Sequence, residues 1–538
     1  MVATLPELRE QPASAPTPPA ESPVGDGASL QPNTVPASLE PWQPTARRRG
    51  WVLLALVVAV AAVTRFWALA WPRGKSFDEI YYATNAEELL RFGYEDNRGY
   101  MFVVHPPLGK WLIAGTTALF HEPTFPDALG WRFASALAGV ACVVVITRLA
   151  RRMFRSEVLG GVAGLLLALD GVTLVQSRVA LLDIFLELFV LAGFAALVVD
   201  RDRMRATLAG FVRAGVDLAG GAPSLGPRPW RLVAGVCFGA AMAVKWSGLS
   251  WWVGFAALSL WWDRGALKAA GVRSPFTGML RRSALWAAGS LFVTPIVVYL
   301  FTWTGWFAGE NSWNRHYGDG RWYGVIGALT QYHQQAYEFH QGLDSFHPYK
   351  SNPWSWLVLG RPVTYYYEQN GVTGCGPTGT TCAREILLIG TPLMWWAFVP
   401  ALLFVFWTGV TRRDWRGGVM VMAMLAGWLV WFYRPERTMF LFYTAPLVPF
   451  LVLALTMALG AVLGPAPPPA VVAADLDPDA PRDPWVAARR RRRAVGAGLA
   501  GGYLGLVIVD FVWMWPLYTG GLLTYSQWHA HMWFPSWV

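Results

Sequence analysis

Long apolar runs alternate along this chain with short basic clusters, and the clusters fall in every second gap between runs. The first run, Trp51 to Trp71, is long enough to cross a hydrocarbon core of about 30 Å. Further runs follow at about 131–149, 157–175, 179–199, 231–245, 246–262, 283–302, 386–408, 417–434, 438–460 and 495–516. Arg47–Arg49 precede the first. Arg148, Arg151, Arg152 and Arg155 follow the second, and Arg201, Arg203 and Arg205 the fourth. Arg264, Lys268, Arg273, Arg281 and Arg282 follow the sixth, Arg412, Arg413 and Arg416 the eighth, and Arg489–Arg493 precede the eleventh. Basic residues accumulate in cytoplasmic loops, so eleven spans put the N-terminus inside and the C-terminus outside. One missed helix would break the alternation, and the two short runs flanking Lys245 are the weakest of the set.

Only 14% of the 538 residues are charged, against roughly 25% in soluble domains. With charge so sparse and clustered, the formal net charge of +10 reads as membrane orientation, and no nucleic-acid partner is expected. Residues 1–45, rich in Pro, Ala, Ser and Glu, read as a disordered cytoplasmic tail. The span 46–460 reads as a transmembrane core, 461–494 as a cytoplasmic linker, and 495–538 as a last span with an outward C-terminus. Segment 206–230 reads as a loop. The expected fold is an all-α polytopic membrane protein with two large outer loops, 72–130 and 303–385. Both loops mix aromatic, acidic and His residues with apolar stretches, which suits interfacial helices. Cys375 and Cys382 bracket a Gly/Pro/Thr loop and either pair on an oxidising face or remain free thiols.

Polar residues at the outer edges of such spans are costly unless they are solvated, paired or used. Asp78 and Glu79 follow the first span. In a partly dry pocket Asp78 suits a general base, with Glu79 orienting a partner or binding substrate; the alternative is an acidic helix cap. His105-Pro106-Pro107-Leu108-Gly109-Lys110 makes a rigid corner, where Lys110 either meets a phosphate or snorkels. Arg132, Arg178 and Lys245 sit on the side that basic residues avoid. They are candidates for an anionic headgroup or for ion pairs with Asp78, Glu79 or Asp183. The second loop offers His347-Pro348-Tyr349, Asn352, Trp354 and Arg361, residue types that stack on and hydrogen-bond to sugars or peptides. His333, His340 and His347 recur every seven residues on one helical stripe, too far apart to share an ion without a fold-back. No metal site or cofactor is predicted, and a need for a divalent cation stays open. Walker A, GxSxG and dinucleotide motifs do not occur.

Five stretches resemble the protein O-mannosyltransferase family in its shorter actinobacterial form. They are Phe77-Asp78-Glu79 with Tyr81-Tyr82; His105 to Lys110; Gln176-Ser177-Arg178 with Leu181-Leu182-Asp183; Lys245-Trp246-Ser247-Gly248; and His347-Pro348-Tyr349 through Arg361-Pro362-Val363. The resemblance implies a GT-C fold and inverting transfer of mannose from polyprenyl-phosphate-mannose to Ser or Thr of secreted or membrane proteins, during Sec export or otherwise. It implies Asp78 as base with Glu79 its essential neighbour, and Arg132 on the lipid phosphate, with Arg178, Lys110 and Lys245 less securely placed. His105, Tyr82, His347, Tyr349, Asn352, Trp354 and Arg361 become donor or acceptor contacts. The second loop is too short for the β-trefoil MIR domain of the eukaryotic members. Another GT-C transferase of lipid-linked sugars is the nearest alternative. A flippase is disfavoured because the candidate residues cluster on one side.

Overall fold

Helices are what the apolar runs must form, since a helix satisfies its own backbone N–H and C=O groups where no water reaches. The computed structural model describes residues 34–41, 47–96, 104–120, 126–464 and 484–538. The first elements are α1 (Arg47–Phe66), α2 (Glu79–Phe92), α3 (Leu108–Leu119), α4 (Asp127–Phe154), α5 (Glu157–Ala168), α6 (Gly171–Gln176), α7 (Asp183–Arg213), α8 (Pro229–Val244) and α9 (Gly248–Ala269). Helix α10 (Pro275–Ala288) runs through a π turn into α11 (Thr294–Phe301). Then come α12 (Thr304–Ala308), α13 (Gly324–Gly342), α14 (Pro353–Trp356), β1 (Val363–Glu368) and β2 (Cys382–Leu388). The chain ends with α15 (Pro392–Thr411), α16 (Trp415–Gly427), α17 (Val448–Leu463), α18 (Pro484–Thr519), β3 (Leu523–Thr524) and α19 (Tyr525–His531).

Among the described residues, seven helices are long and apolar enough to cross a membrane: α1, α4, α10–α11, α15, α16 with its 3-10 extension to Tyr433, Leu441–Leu463, and α18. The other predicted runs lie on α5–α6, α7, α8 and α9, which are shorter or carry ionisable residues such as Glu187 and Asp263. The core is continuous through α4, α5, α7, α8, α9 and α17. Small residues let these helices approach closely. A Cβ added to Gly160 of α5 would stand 2.9 Å from the Thr147 carbonyl oxygen of α4.

The segment ends differ from the expectation. Residues 34–41 of the supposed tail are placed: Leu39 is wholly buried against Met204, Leu208 and Leu267, and Arg205 donates to the Ser38 carbonyl at 2.7 Å. With Arg155 donating to the Glu40 carbonyl at 3.3 Å, one apolar residue and two basic clamps hold this Pro/Ser-rich strap. The rest of 1–45 lies outside the described residues. Loop 206–230 is shortened by α7, which continues to Arg213, and the linker 461–494 by α17 and by α18, which takes in Arg489–Arg493. The run from 386 begins as strand, so α15 starts only at Pro392.

The long loops contain the helices expected of them, α2 and α3 in one and α12 to α14 in the other. The second also holds a hairpin. β1 and β2 pair antiparallel with Val363 opposite Leu388, and β3 extends the sheet beside Cys382 and Ala383. Val363-Thr364-Tyr365-Tyr366-Tyr367 is the β-branched and aromatic pattern that strands favour. The Cys375–Cys382 disulfide is formed and closes the hairpin tip, with 5.8 Å between Cα atoms.

Candidate active site

A cavity of about 1210 Å³ opens where α2, the 104–110 corner, the α8–α9 turn, α13 and segment 430–443 meet. That exceeds an ordinary small-molecule site of about 300–1,000 Å³. Asp78, Tyr82, His105, Lys110, Lys245 and His347 all line it, so six of the predicted side chains converge.

Asp78 is the N-cap of α2 but makes no side-chain capping bond. Its carboxylate accepts no hydrogen bond from any described residue, while its backbone carbonyl takes the N–H of Tyr81 and of Tyr82. Burial is the main influence on its carboxyl; Lys245 pulls the other way and Asp183 adds to the rise, leaving it pushed up to about 6. Just before it, Phe77 has φ of 51°, a left-handed backbone that costs a bulky residue about 1–2 kcal/mol.

The neighbouring acid has the opposite surroundings. Glu79 is wholly buried and takes the backbone N–H of Ser76 and of Ala180, each at 2.8 Å. Arg132 donates to both its oxygens at 2.7 Å. Arg132 also reaches the carbonyls of Leu69 (3.3 Å), Pro72 (2.7 Å) and Gly74 (3.0 Å). A guanidinium has five N–H donors, and all five of these are engaged. Neither Glu79 nor Arg132 lines the cavity, so the expectation of Arg132 on a lipid phosphate is corrected: it locks the first loop onto α4. Arg178 is corrected likewise. It donates to the carbonyls of Thr64, Arg65 and Trp67 at the end of α1, at 3.0, 3.2 and 2.6 Å, where unpaired helix carbonyls attract a cation.

Other cations do reach the cavity. Lys245, the C-cap of α8, pairs with Asp183 at 2.7 Å and lies over the rings of Phe442 and Tyr443. Lys110 pairs with Glu95 and donates to the His105 carbonyl at 2.9 Å. Arg437 was not singled out from the sequence. It lies over the Tyr443 ring, and its guanidinium donates to His340 at the backbone oxygen (3.1 Å) and at Nδ1 (3.3 Å). A signal was present: Arg434 ends the ninth run and Arg437 lies in the gap before the tenth, on the side where basic residues are rare, as with Arg132 and Arg178. Burial, then Arg437, pushes His340 down to about 4, and burial holds His105 well below its usual value.

The rest of the second-loop set lies elsewhere. Tyr349 packs on His347 and under Arg361. Arg361 donates to the carbonyls of Ser536 (2.6 Å) and Val538 (2.7 Å), pinning the C-terminus. The Asn352 carbonyl accepts from Ser355, and Trp354 is 67% exposed away from the cavity. The repeated Pro and Trp of this stretch thus shape a turn around α14. His333 stacks on Trp246 and bonds to Tyr299, while His347 falls beyond the end of α13. Among the described residues no three His, Cys, Asp or Glu side chains group as metal ligands.

One side of the cavity is apolar and open, with Ile80, Leu249, Val430 and Phe346 all at least 41% exposed. The arrangement is thus an Asp78 carboxylate with no hydrogen-bond partner among the described residues, near the Lys245–Asp183 pair and Arg437, beside an apolar entrance.

Comparison with known proteins gives the family. Residues 55–308 match the family model of the dolichyl-phosphate-mannose-protein mannosyltransferases. Residues 325–537 match the C-terminal four-span region of protein O-mannosyltransferase. A polyprenol-phosphate-mannose–protein mannosyltransferase of Mycolicibacterium smegmatis is 40% identical over 512 residues, covering 92% of this chain and 94% of that one. Its counterpart in Corynebacterium glutamicum is 34% identical, covering 90% and 92%. Among solved structures, the Saccharomyces cerevisiae Pmt1-Pmt2 complex bound to the sugar donor matches with a TM-score of 0.68 at 15% identity, covering 94% of each chain, which shows a shared GT-C fold. With both halves matched by family models and relatives aligned along nearly their whole length, the chain belongs to the protein O-mannosyltransferase family.

Proposed function

We propose that this protein transfers mannose from a polyprenyl-phosphate-mannose donor to Ser or Thr hydroxyls of protein acceptors, with inversion at the sugar. The observation that carries this reading is the pairing of the unbonded Asp78 with Lys245 and Arg437 on one cavity whose open wall is apolar. The polyprenyl chain lies along Leu249 and Val430, and its phosphate lies against Arg437 and Lys245, with Lys110 further back. The acceptor hydroxyl approaches from the side of Phe346 and His347. Asp78 takes the hydroxyl proton as the oxygen bonds to the anomeric carbon. The bond from that carbon to the phosphate oxygen breaks, and polyprenyl phosphate leaves with its charge held by the cations. Base and leaving group stand on opposite faces of the sugar, so the configuration inverts without a covalent enzyme intermediate. The reaction so drawn calls on no metal ion.

In this reading the chain is a multi-pass protein of the plasma membrane with eleven crossings and a cytoplasmic N-terminus. The cavity faces outward, where secreted and membrane proteins emerge during export. The alternation of basic clusters supports that orientation. Purified protein given polyprenyl-phosphate-mannose and a Ser/Thr peptide should form mannosyl peptide. Transfer only from a donor bearing a different sugar would move the activity to another GT-C class, and a folded, donor-binding Asp78→Asn variant with near-normal transfer would remove Asp78 as base.

A further inference from the structure

Phe77 has no part in the reaction drawn above, yet it is the most constrained residue beside Asp78. Its left-handed backbone, φ 51°, is one that Gly or Asn adopts far more readily than Phe. Its ring lies flat on Tyr365, with centroids 4.6 Å apart and planes 16° apart. Phe442 meets it edge-on at 5.9 Å, and Phe440 and His347 each at 6.4 Å. Those three come from segments that line the cavity, whereas Tyr365 belongs to β1.

The contacts form a circuit. Tyr365 accepts from Gln176 Nε2 at 3.2 Å. Gln176 ends α6, four residues before Ala180, whose N–H holds Glu79 at 2.8 Å. Glu79 in turn grips Ser76, the residue before Phe77, through its backbone N–H. Asp78 is therefore fixed on both sides by neighbours anchored to the body of the protein, while its own carboxylate is left unbonded.

We propose that Phe77 is a positioning residue: its clamped ring and left-handed backbone hold the Asp78 carboxylate at the spot where the acceptor hydroxyl reacts. The proposal rests on the reading of Asp78 as base. An aromatic ring is required because only a flat side chain stacks on Tyr365 while keeping T-shaped contacts with three neighbouring rings. An aliphatic side chain of similar size fills the space without fixing the angle.

The test uses full-length Phe77→Leu, Phe77→Met and Phe77→Tyr proteins beside wild type and Asp78→Asn, with melting temperature, kcat, donor KM and the pH profile of kcat recorded for each. Leu and Met should lower kcat about 10- to 100-fold, the scale of a misplacement of about 1 Å. Donor KM should change less than about threefold on the same scale, and the acid limb of kcat should shift. Phe77→Tyr should restore kcat to within about threefold, since it keeps the stacking face. Normal kcat with an unmoved acid limb in the Leu and Met proteins would overturn the proposal while leaving Asp78 as base. Normal transfer by Asp78→Asn would overturn the base reading and this proposal together.

Discussion

Helix α7 joins two clusters of charge built on opposite plans. At its start, Asp183 holds Lys245 at 2.7 Å beside an open cavity in which the Asp78 carboxylate has no hydrogen-bond partner among the described residues. Seventeen residues on, about 25 Å away along the helix, Asp200 joins Asp263, Arg228 and Arg231 in a buried quartet of two acids and two bases. There Arg228 binds both acids, donating to Asp200 at 3.0 Å through Nε and to Asp263 at 2.6 Å through Nη1. No cavity opens onto that quartet from the site. The far cluster fastens the middle of α7 to the start of α8 and the last turns of α9. The near one leaves capacity unsatisfied, which is costly unless a substrate supplies what is missing. Asp78 and Glu79 show that closure and openness can also be adjacent: consecutive acids, one saturated and one bare.

The comparison breaks most directly at Asp78. Asp78→Asn should lower kcat about 10²- to 10⁴-fold in a mannosyl-transfer assay, the usual range for a lost general base. Wild-type kcat should rise through about pH 6 as Asp78 ionises. His105 and His340 stay neutral above that range, so the limb belongs to the carboxylate. The same variant should be more heat-stable than wild type above pH 6. The folded-state pKa lies above the unfolded value of about 3.9, so the ionised form is the one folding disfavours. That advantage should vanish as the pH falls below about 4, where both states of wild type are protonated.

Arg437→Gln should follow, with about a 100-fold fall in kcat and weaker donor binding, as for loss of one donor to a developing anion. A drop confined to melting temperature would instead make Arg437 part of the scaffold, like Arg132. At the far end, Arg228→Met leaves Asp200 and Asp263 short of a partner. Breaking a buried pair costs about 3–5 kcal/mol, so a large fall in melting temperature is expected. Protein that remains folded should keep kcat within about twofold, because no contact of the quartet reaches the cavity. Measured separately, kcat and melting temperature should thus divide the two charge clusters on α7. The smallest effect on turnover is expected from chelation: EDTA-treated enzyme should retain its activity, and loss restored by a divalent ion would add a metal to the mechanism.

Much of this was legible beforehand because it depends on local physics. Apolar length located the helices, and the resemblance marked Asp78, Tyr82, His105, Lys110, Lys245 and His347, which do share a cavity. Local reasoning failed where one residue type has two uses. Arg132, Arg178 and Arg437 break the same charge rule, yet two cap or lock the backbone and only the third faces the cavity. Asn352, Trp354 and Arg361 look like a binding surface in sequence and serve a turn and the C-terminus. The β hairpin was hidden by its place in a chain otherwise dominated by helical runs.

The sequence by itself determined the membrane-spanning architecture and the position of the acid that starts α2, since both follow from hydropathy and from motifs a few residues long. Which charged side chains are closed and which are left open was decided only by tertiary structure. The cost of a buried charge depends on partners that lie far away in the chain, as Glu79 finds in Arg132 and Ala180 and as Asp78, one residue earlier, does not.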